Sequence, residues 1–217
     1  MKNRIKHIFD KHDPKMARAM MVANKREWTR PQLGDHSLYR PVENDDIMND
    51  LPLKPSAVLV PIVVRGDDLS VMLTKRSAKL KSHSGQVSFP GGRCDADDDH
   101  AMATALREAR EEINMPEVNV DVIGAMEDYE TVTGYSVSPV VGFVDPDFKI
   151  IMQETEVVEV FEVPLDHILN PDNHIIEQLM WKGAMRHYYA FPHDKHKIWG
   201  ATAAMLVRFA NLVNDHE

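Results

Sequence analysis

The chain has 217 residues, of which 43% are hydrophobic and 27% are charged, so it can bury a sizeable core. Its formal net charge of −9 is unevenly placed, because residues 1–30 carry +6 and the remainder carries −15. An acidic body excludes nucleic acid as the main partner, since phosphate contacts require clustered cations. The single cysteine, Cys94, excludes an intrachain disulfide and favours a reducing compartment.

No apolar run approaches the roughly 20 residues of a membrane span. The first residues also lack the charged and then apolar layout of a signal peptide. We therefore expect a cytoplasmic protein without a membrane partner.

The predicted elements begin with a helix over residues 1–27, broken at Pro14, and an irregular lead-in over residues 28–53. We take residues 1–50 as an N-terminal extension and residues 51–213 as the folded domain. Strands are predicted at 57–64 and 69–74 as a hairpin, then at 85–89, 118–125, 136–144, 157–163, 185–190 and 196–199. Helices are predicted at 101–113, 165–169 and 201–213. Strands interleaved with helices indicate an α/β fold with a mixed sheet.

The helix at residues 101–113 carries the most informative pattern. Glu108, Glu111 and Glu112 stand at positions i, i+3 and i+4, which share one helix face. The apolar side is formed by residues at helical spacing: Met102, Leu106, Ala109 and Ile113. We therefore expect one side of the helix to pack and the other to present three carboxylates together. On the six residues 107–112 alone, an exposed face of mixed charge explains the pattern equally well.

The segment before this helix favours a metal site. Gly91 and Gly92 are expected to form a tight turn that lets backbone approach a ligand. A loop with four aspartates follows, at positions 95, 97, 98 and 99. Carboxylate oxygens are the ligands that Mg²⁺ and Mn²⁺ prefer. The loop, the turn and the helix together predict a site for divalent cations.

Residues 92–115 resemble the Nudix box, G-x5-E-x7-R-E-U-x-E-E-x-G-U, where U is bulky and apolar. Its matching residues are Gly92, Arg107, Glu108, Glu111 and Glu112. Asp98 stands where the pattern has glutamate, the spacing to Arg107 is one residue longer, Ala109 is small, and Asn114 replaces the last glycine. Asn tolerates a left-handed backbone, so the end of the helix can be kept. The resemblance implies a Nudix fold, an α/β/α sandwich with a mixed sheet.

Residues 72–92 resemble a second motif, L-L-T-x-R-S-x3-R-x3-G-x3-F-P-G-G, which marks the coenzyme A diphosphatase branch of Nudix hydrolases. Arg76, Ser77, Gly85 and Phe89 match it, and Lys81 occupies the second arginine position. A lysine keeps the positive charge, but it cannot form the two parallel hydrogen bonds that arginine donates to one phosphate group. The resemblance covers about residues 55–206.

The resemblance implies hydrolysis of the coenzyme A diphosphate to 4′-phosphopantetheine and adenosine 3′,5′-bisphosphate. The implied ligands of Mg²⁺ or Mn²⁺ are the three glutamates and the Gly92 carbonyl, and Arg107 orients a glutamate. The implied substrate-binding residues are Arg76, Ser77, Lys81, Gly85 and Phe89. The general base stays open among Glu108, Glu111, Glu127 and Glu130.

Other readings are weaker. Another Nudix specificity, such as NADH or ADP-ribose, is the nearest, and a non-catalytic Nudix-like binding module is the next. An EF-hand is rejected because His100 stands where the loop requires glycine. A nucleophilic Cys94 lacks an oriented His-Asp pair, and His193 and His196 are interpreted as solvated loop residues rather than zinc ligands. The sequence leaves a monomer or a homodimer open.

Overall fold

The structure is a computed structural model of the chain, and it describes residues 1–11, 33–34, 52–80, 83–181 and 183–216. Most of the helix predicted over residues 1–27, and most of the lead-in over residues 28–53, lies outside the described residues. Within the described ranges, no helix is both long enough and apolar enough to span a membrane.

The helices of the described ranges are α1 (Lys2–Lys11), α2 (Ala101–Ile113), α3 (Leu165–Leu169) and α4 (Ala201–Asn214). The first six strands are β1 (Leu33–Gly34), β2 (Lys54–Arg65), β3 (Asp68–Arg76), β4 (Val87–Ser88), β5 (Gly91–Arg93) and β6 (Val120–Ala125). The other six are β7 (Tyr129–Glu130), β8 (Tyr135–Val144), β9 (Val157–Pro164), β10 (Ile175–Trp181), β11 (Ala184–His193) and β12 (His196–Trp199).

The central sheet is mixed, as the sequence predicts. β2 lies parallel to β8, and the two strands pair from Lys54 opposite Tyr135 to Val63 opposite Val144. β3 and β5 lie antiparallel to β2, and β9 lies antiparallel to β3. The apolar run of β2 is buried on both faces of the sheet, which explains why it lacks an alternating pattern. Strands β10 to β12 form a separate antiparallel sheet.

Helices cover both faces of the central sheet. On one face, Ala105, Ala109 and Ile113 of α2 pack against Ala57 and Leu59 of β2. On the other face, the core includes residues of α1, α3 and α4 together with Val60 and Ile62 of β2. Two helical layers around a mixed sheet confirm the predicted α/β/α sandwich.

α1 packs on this second layer through the face that its sequence predicts. Ile5, Ile8 and Phe9 are buried, and the rings of Phe9 and Phe209 are stacked with centroids 6.4 Å apart. The boundary between residues 50 and 51 falls outside the described residues, so the division into an extension and a domain stays a prediction.

The structure corrects the element predictions around β10 and β4. β10 pairs with β11 along its whole length, although its segment was not predicted as a strand. Its run Ile-Ile-Glu-Gln-Leu-Met lacks regular alternation of apolar and polar residues. The strand predicted at residues 85–89 contains only Val87 and Ser88.

His196 also differs from its interpretation as a solvated residue. Its ring is 7% exposed and stacks on Phe161 with centroids 3.8 Å apart and planes 12° apart. It is therefore a packing residue of β12.

Candidate active site

Both ends of α2 are fixed by local hydrogen bonds. At the start, the Nδ1 atom of His100 accepts the backbone N–H of Ala103 at 2.9 Å. At the end, Asn114 adopts a left-handed conformation with φ 58°, and its N–H donates to the Arg110 carbonyl at 2.9 Å. Asn114 therefore ends the helix in the left-handed conformation that the glycine of the motif would adopt, as expected.

The two glycines before α2 form a strand rather than the expected tight turn. Gly91, Gly92 and Arg93 form β5, which pairs with Ser56 to Val58 of β2. A Cβ atom on Gly91 would lie 2.5 Å from the Ala57 carbonyl oxygen, and one on Gly92 would lie 2.4 Å from Oε1 of Glu108. The missing side chains therefore let β5 lie against β2 and let the Glu108 carboxylate lie on β5.

Arg107 is the centre of a hydrogen-bonded network. Its Nε and Nη2 atoms donate to the two carboxylate oxygens of Asp98 at 3.0 and 2.9 Å. Its Nη1 atom donates to Glu108 at 3.0 Å and to Glu111 at 3.2 Å, and Nη2 also donates to the Arg93 carbonyl at 3.0 Å. Arg107 thus orients two of the three glutamates.

Asp98 holds Arg107 in place instead of joining the acidic surface of its loop. It is 7% exposed, and it also accepts the Thr104 hydroxyl at 2.8 Å and the Asp95 N–H at 2.9 Å. The hydrogen bonds from Arg107 lower the pKa of Asp98 to about 2, although burial acts in the opposite direction. The prediction that this loop joins a cation site is wrong for Asp98, because its carboxylate is committed to Arg107.

The three glutamates of the box differ in exposure. Glu112 is buried, Glu108 has a side chain 15% exposed, and Glu111 has a side chain 54% exposed. The prediction that all three face away from the packed side is therefore wrong for Glu112. Among the described residues, no group of three or more His, Cys, Asp or Glu side chains is close enough to hold an ion.

The carboxylate of Glu112 has few partners that would stabilise its negative charge. Its carboxylate accepts the Gly91 N–H at 3.3 Å and lies 3.5 Å from Nη1 of Arg76. Burial raises the pKa of Glu112 to about 8 despite the opposing charge of Arg76, and the negative charge of Glu108 adds to the rise. Burial likewise raises the pKa of Glu108, against the effect of Arg107.

Glu156 is a further carboxylate near this pair, and the sequence analysis missed it. Its charge raises the pKa of both Glu108 and Glu112. The segment before it is tied to the end of α2, because the Gln153 N–H donates to the Glu112 carbonyl at 2.8 Å. The Ser77 N–H donates to the Glu156 carbonyl at 2.7 Å. No recognised motif includes Glu156, and it lies 44 positions after Glu112, so only the fold brings it to the site.

The five residues predicted to bind substrate differ in exposure. Arg76 is suited to that role, because its side chain is 22% exposed and lies beside Glu112 of the box. Gly85 is exposed in the loop before β4. Lys81 lies outside the described residues.

Ser77 and Phe89 are buried within the fold. Both are 2% exposed. Phe89 belongs to the core between the sheet and α4, and the Ser77 hydroxyl accepts the Lys79 N–H at 3.3 Å within a turn. Their predicted contacts with substrate are corrected to structural roles.

The two glutamates considered as bases outside the box lie in different surroundings. Glu127 is exposed and forms an ion pair with Arg208 of α4. Glu130 is 3% exposed on β7. Burial raises the pKa of the Cys94 thiol, which disfavours the nucleophilic thiolate.

Comparison with known proteins identifies the family. The NUDIX domain profile matches residues 53–190. The chain is 39% identical over 158 residues to a protein of Photorhabdus laumondii named "Uncharacterized Nudix hydrolase NudL", which covers 73% of this chain and 84% of that protein. The protein of the same name from Escherichia coli K12 is 38% identical over 178 residues, or 82% of this chain and 91% of that protein.

The chain belongs to the Nudix hydrolase family. A solved structure of the MutT protein from Methanosarcina mazei Go1 aligns with 56% of this chain and 83% of that chain, at 23% identity and a TM-score of 0.45. The domain profile and the two relatives confirm, at the level of the family, the resemblance read from the Nudix box.

Nudix hydrolases generally use divalent metal ions, and the residues present fit such an ion. Glu108 and Glu112 offer hard oxygen donors, and burial places both of these negative charges in surroundings that disfavour them. A divalent cation would remove that penalty, because it favours the ionised form of each carboxylate.

Proposed function

We propose that this Nudix hydrolase cleaves the diphosphate bond of coenzyme A or its derivatives. The observation that carries the proposal is the contact of Arg76 with Glu112, at 3.5 Å. Arg76 belongs to the motif of the coenzyme A branch, and Glu112 belongs to the Nudix box. The segment expected to select the substrate therefore touches the segment expected to perform the chemistry.

The ions would be held by Glu108, Glu111, Glu112 and the Gly92 carbonyl. When bound, Mg²⁺ or Mn²⁺ supplies positive charge against the diphosphate and lowers the pKa of bound water. Arg107 keeps Glu108 and Glu111 in place, and Asp98 keeps Arg107 in place. The half-buried guanidinium side chain of Arg76 would donate to a substrate phosphate oxygen.

The reaction is a hydrolysis, so it needs no co-reactant other than water. The water oxygen forms a bond to one phosphorus, and the bridging P–O bond breaks toward the other phosphate. A nearby carboxylate takes the water proton. Glu156 joins Glu108 and Glu111 as a candidate for this base, because its charge acts on Glu108 and Glu112. Glu127 is less suited, because it is paired with Arg208.

Product analysis tests the proposal. The purified chain is incubated with coenzyme A, acyl-coenzyme A, NADH or ADP-ribose, each with Mg²⁺ and with Mn²⁺, and the products are separated. We expect 4′-phosphopantetheine and adenosine 3′,5′-bisphosphate from coenzyme A. Cleavage of NADH or ADP-ribose without cleavage of coenzyme A would reject the substrate while keeping the reaction. Binding without cleavage of any of them would favour the non-catalytic module.

A further inference from the structure

Arg93, Tyr135 and Lys54 form a cluster beside β5, which we name the Arg93 cluster. The Nε atom of Arg93 donates to the Tyr135 hydroxyl oxygen at 2.8 Å, and its Nη2 atom donates to the same oxygen. The Arg93 guanidinium carbon lies 5.3 Å from the centroid of the Tyr135 ring, and Nζ of Lys54 lies 5.9 Å from it. Strand register explains the grouping, since Ser56 faces Arg93 and Lys54 faces Tyr135.

The two cations of the Arg93 cluster are exposed and lack a carboxylate. Neither Arg93 nor Lys54 forms an ion pair within the described part of the chain. Other cations of the chain do, as Arg107 does with Asp98 and Arg65 does with Glu162. The body after residue 30 carries a formal charge of −15. Two adjacent uncompensated cations in such a body favour an anionic ligand.

The donors of the Arg93 cluster suit a phosphate monoester. The Tyr135 oxygen already accepts two N–H groups from Arg93, so its own O–H is left to donate. Lys54 contributes an ammonium group with three donors, and Arg93 keeps its Nη1 donors. A phosphate monoester offers three acceptor oxygens and carries about two negative charges, so it can use all three side chains.

The Arg93 cluster adjoins the candidate active site. Arg93 follows Gly92, on which the Glu108 carboxylate lies, and the Arg93 carbonyl accepts Nη2 of Arg107 at 3.0 Å. Successive side chains of a strand point to opposite faces, and their Cα atoms are about 3.8 Å apart. A ligand at the Arg93 cluster therefore lies around the end of β5 from the carboxylates.

We propose that the Arg93 cluster binds the 3′-phosphate of coenzyme A, an inference that rests on the proposed function. The 3′-phosphate and the 5′-diphosphate are attached to the same ribose. The inference requires one substrate to reach across β5, with its diphosphate beside Glu108 and its monoester beside Arg93. The cluster selects coenzyme A over compounds that lack the monoester.

Kinetics with two substrates test this role. The wild type and the variants Arg93→Ala, Lys54→Ala and Tyr135→Phe are assayed with coenzyme A and with dephospho-coenzyme A, which lacks only the 3′-phosphate. Loss of a charged hydrogen bond weakens binding by about tenfold or more. We expect Arg93→Ala and Lys54→Ala to raise KM for coenzyme A about tenfold more than KM for dephospho-coenzyme A, with kcat little changed. Tyr135→Phe should cause a smaller rise in the same direction.

Arg65→Ala is the matched control. Arg65 is an exposed arginine at the other end of β2, so its loss removes the same charge without touching the Arg93 cluster. Equal effects of Arg65→Ala and Arg93→Ala on the ratio of the two KM values would overturn the inference. Effects of Arg93→Ala that are equal for both substrates would also overturn it.

A binding measurement separates this inference from the proposed function. Calorimetry compares adenosine 3′,5′-bisphosphate with adenosine 5′-phosphate, so no turnover is required. We expect tighter binding of the bisphosphate by the wild type and loss of the difference in Arg93→Ala. If coenzyme A is not cleaved and this difference is still seen, the proposed function fails and the monoester site stands. If coenzyme A is cleaved and no difference is seen, the monoester site fails alone.

Discussion

Two buried carboxylates near α2, Asp98 before the helix and Glu112 within it, differ in how completely their neighbours compensate the negative charge. Asp98 accepts hydrogen bonds from Arg107, Thr104 and a backbone N–H, and its pKa falls to about 2. Glu112 is at least as deeply buried, but its pKa rises to about 8, because burial and Glu108 outweigh Arg76. The Asp98 carboxylate stabilises the fold, whereas Glu112 belongs to a site where a bound cation would favour its ionised form. Buried carboxylates of one helix region can therefore serve opposite purposes.

Glu112→Gln gives the sharpest test of this difference. We expect kcat to fall by about 100-fold to 1000-fold, because a preorganised charge at the site is removed. The free energy of unfolding should stay the same or rise at pH values above about 4.5, because the raised pKa of Glu112 favours the unfolded chain there and Gln does not ionise. Steady-state kinetics and urea unfolding measure the two effects. Glu117→Gln, at an exposed position after α2, is the control, and a Glu112→Gln enzyme with full activity would remove Glu112 from the site.

Gly92→Ala should displace the Glu108 carboxylate of the candidate active site without changing any charge there. The new Cβ atom would meet the Glu108 carboxylate, which has to move. The clash is with the end of a flexible side chain, so we expect a large loss of activity, about tenfold to 100-fold, with little loss of stability. If the loss acts through Glu108, the double variant Gly92→Ala with Glu108→Gln should be no less active than Glu108→Gln alone. Fully additive losses would contradict this.

Asp98→Asn should mainly reduce stability. The pKa of Asp98 is lowered from 3.8 to about 2, which corresponds to about 2 kcal/mol in favour of the folded state near neutral pH. A lowered pKa stabilises above the unfolded-state value, so this contribution is lost as the pH falls from about 4 toward 2. Urea unfolding at a series of pH values should show the difference between wild type and Asp98→Asn shrinking over that range. Asp97→Asn, at the exposed neighbouring position, should show no such trend.

Glu127→Gln should have the smallest effect. Glu127 is exposed and its partner Arg208 is also exposed, so the ion pair contributes about 0 to 1 kcal/mol. We expect kcat to change by less than twofold if Glu127 is not the base. A fall of 100-fold or more would instead place Glu127 in the chemistry and weaken the case for Glu156.

The sequence predicts most of the fold because its signals are local. The stripe of Met102, Leu106, Ala109 and Ile113 defines α2, and the structure begins and ends that helix at the predicted residues. The apolar run of β2 and the turn after it define the first hairpin. β10 is missed because its residues lack alternation, and its pairing with β11 decides its conformation.

The candidate site is predicted less completely, because side-chain direction depends on neighbours. Helical spacing groups Glu108, Glu111 and Glu112, but it does not reveal that Glu112 lies under Gly91. The motif contains Phe89 and Ser77 without separating packing residues from ligand-binding ones. Glu156 reaches the site because the segment before it is hydrogen-bonded to the end of α2 through the Gln153 N–H, and no local pattern encodes that contact.

The parallel pairing of β2 with β8 has a consequence for folding. Lys54 and Tyr135 are paired although they stand 81 positions apart, so a long loop must close before the pair can form. Contacts of this separation slow folding, and during synthesis they leave the apolar strand β2 without its neighbour until β8 has left the ribosome. The strand that pairs with the two glycines is therefore a segment of the nascent chain that needs protection from aggregation.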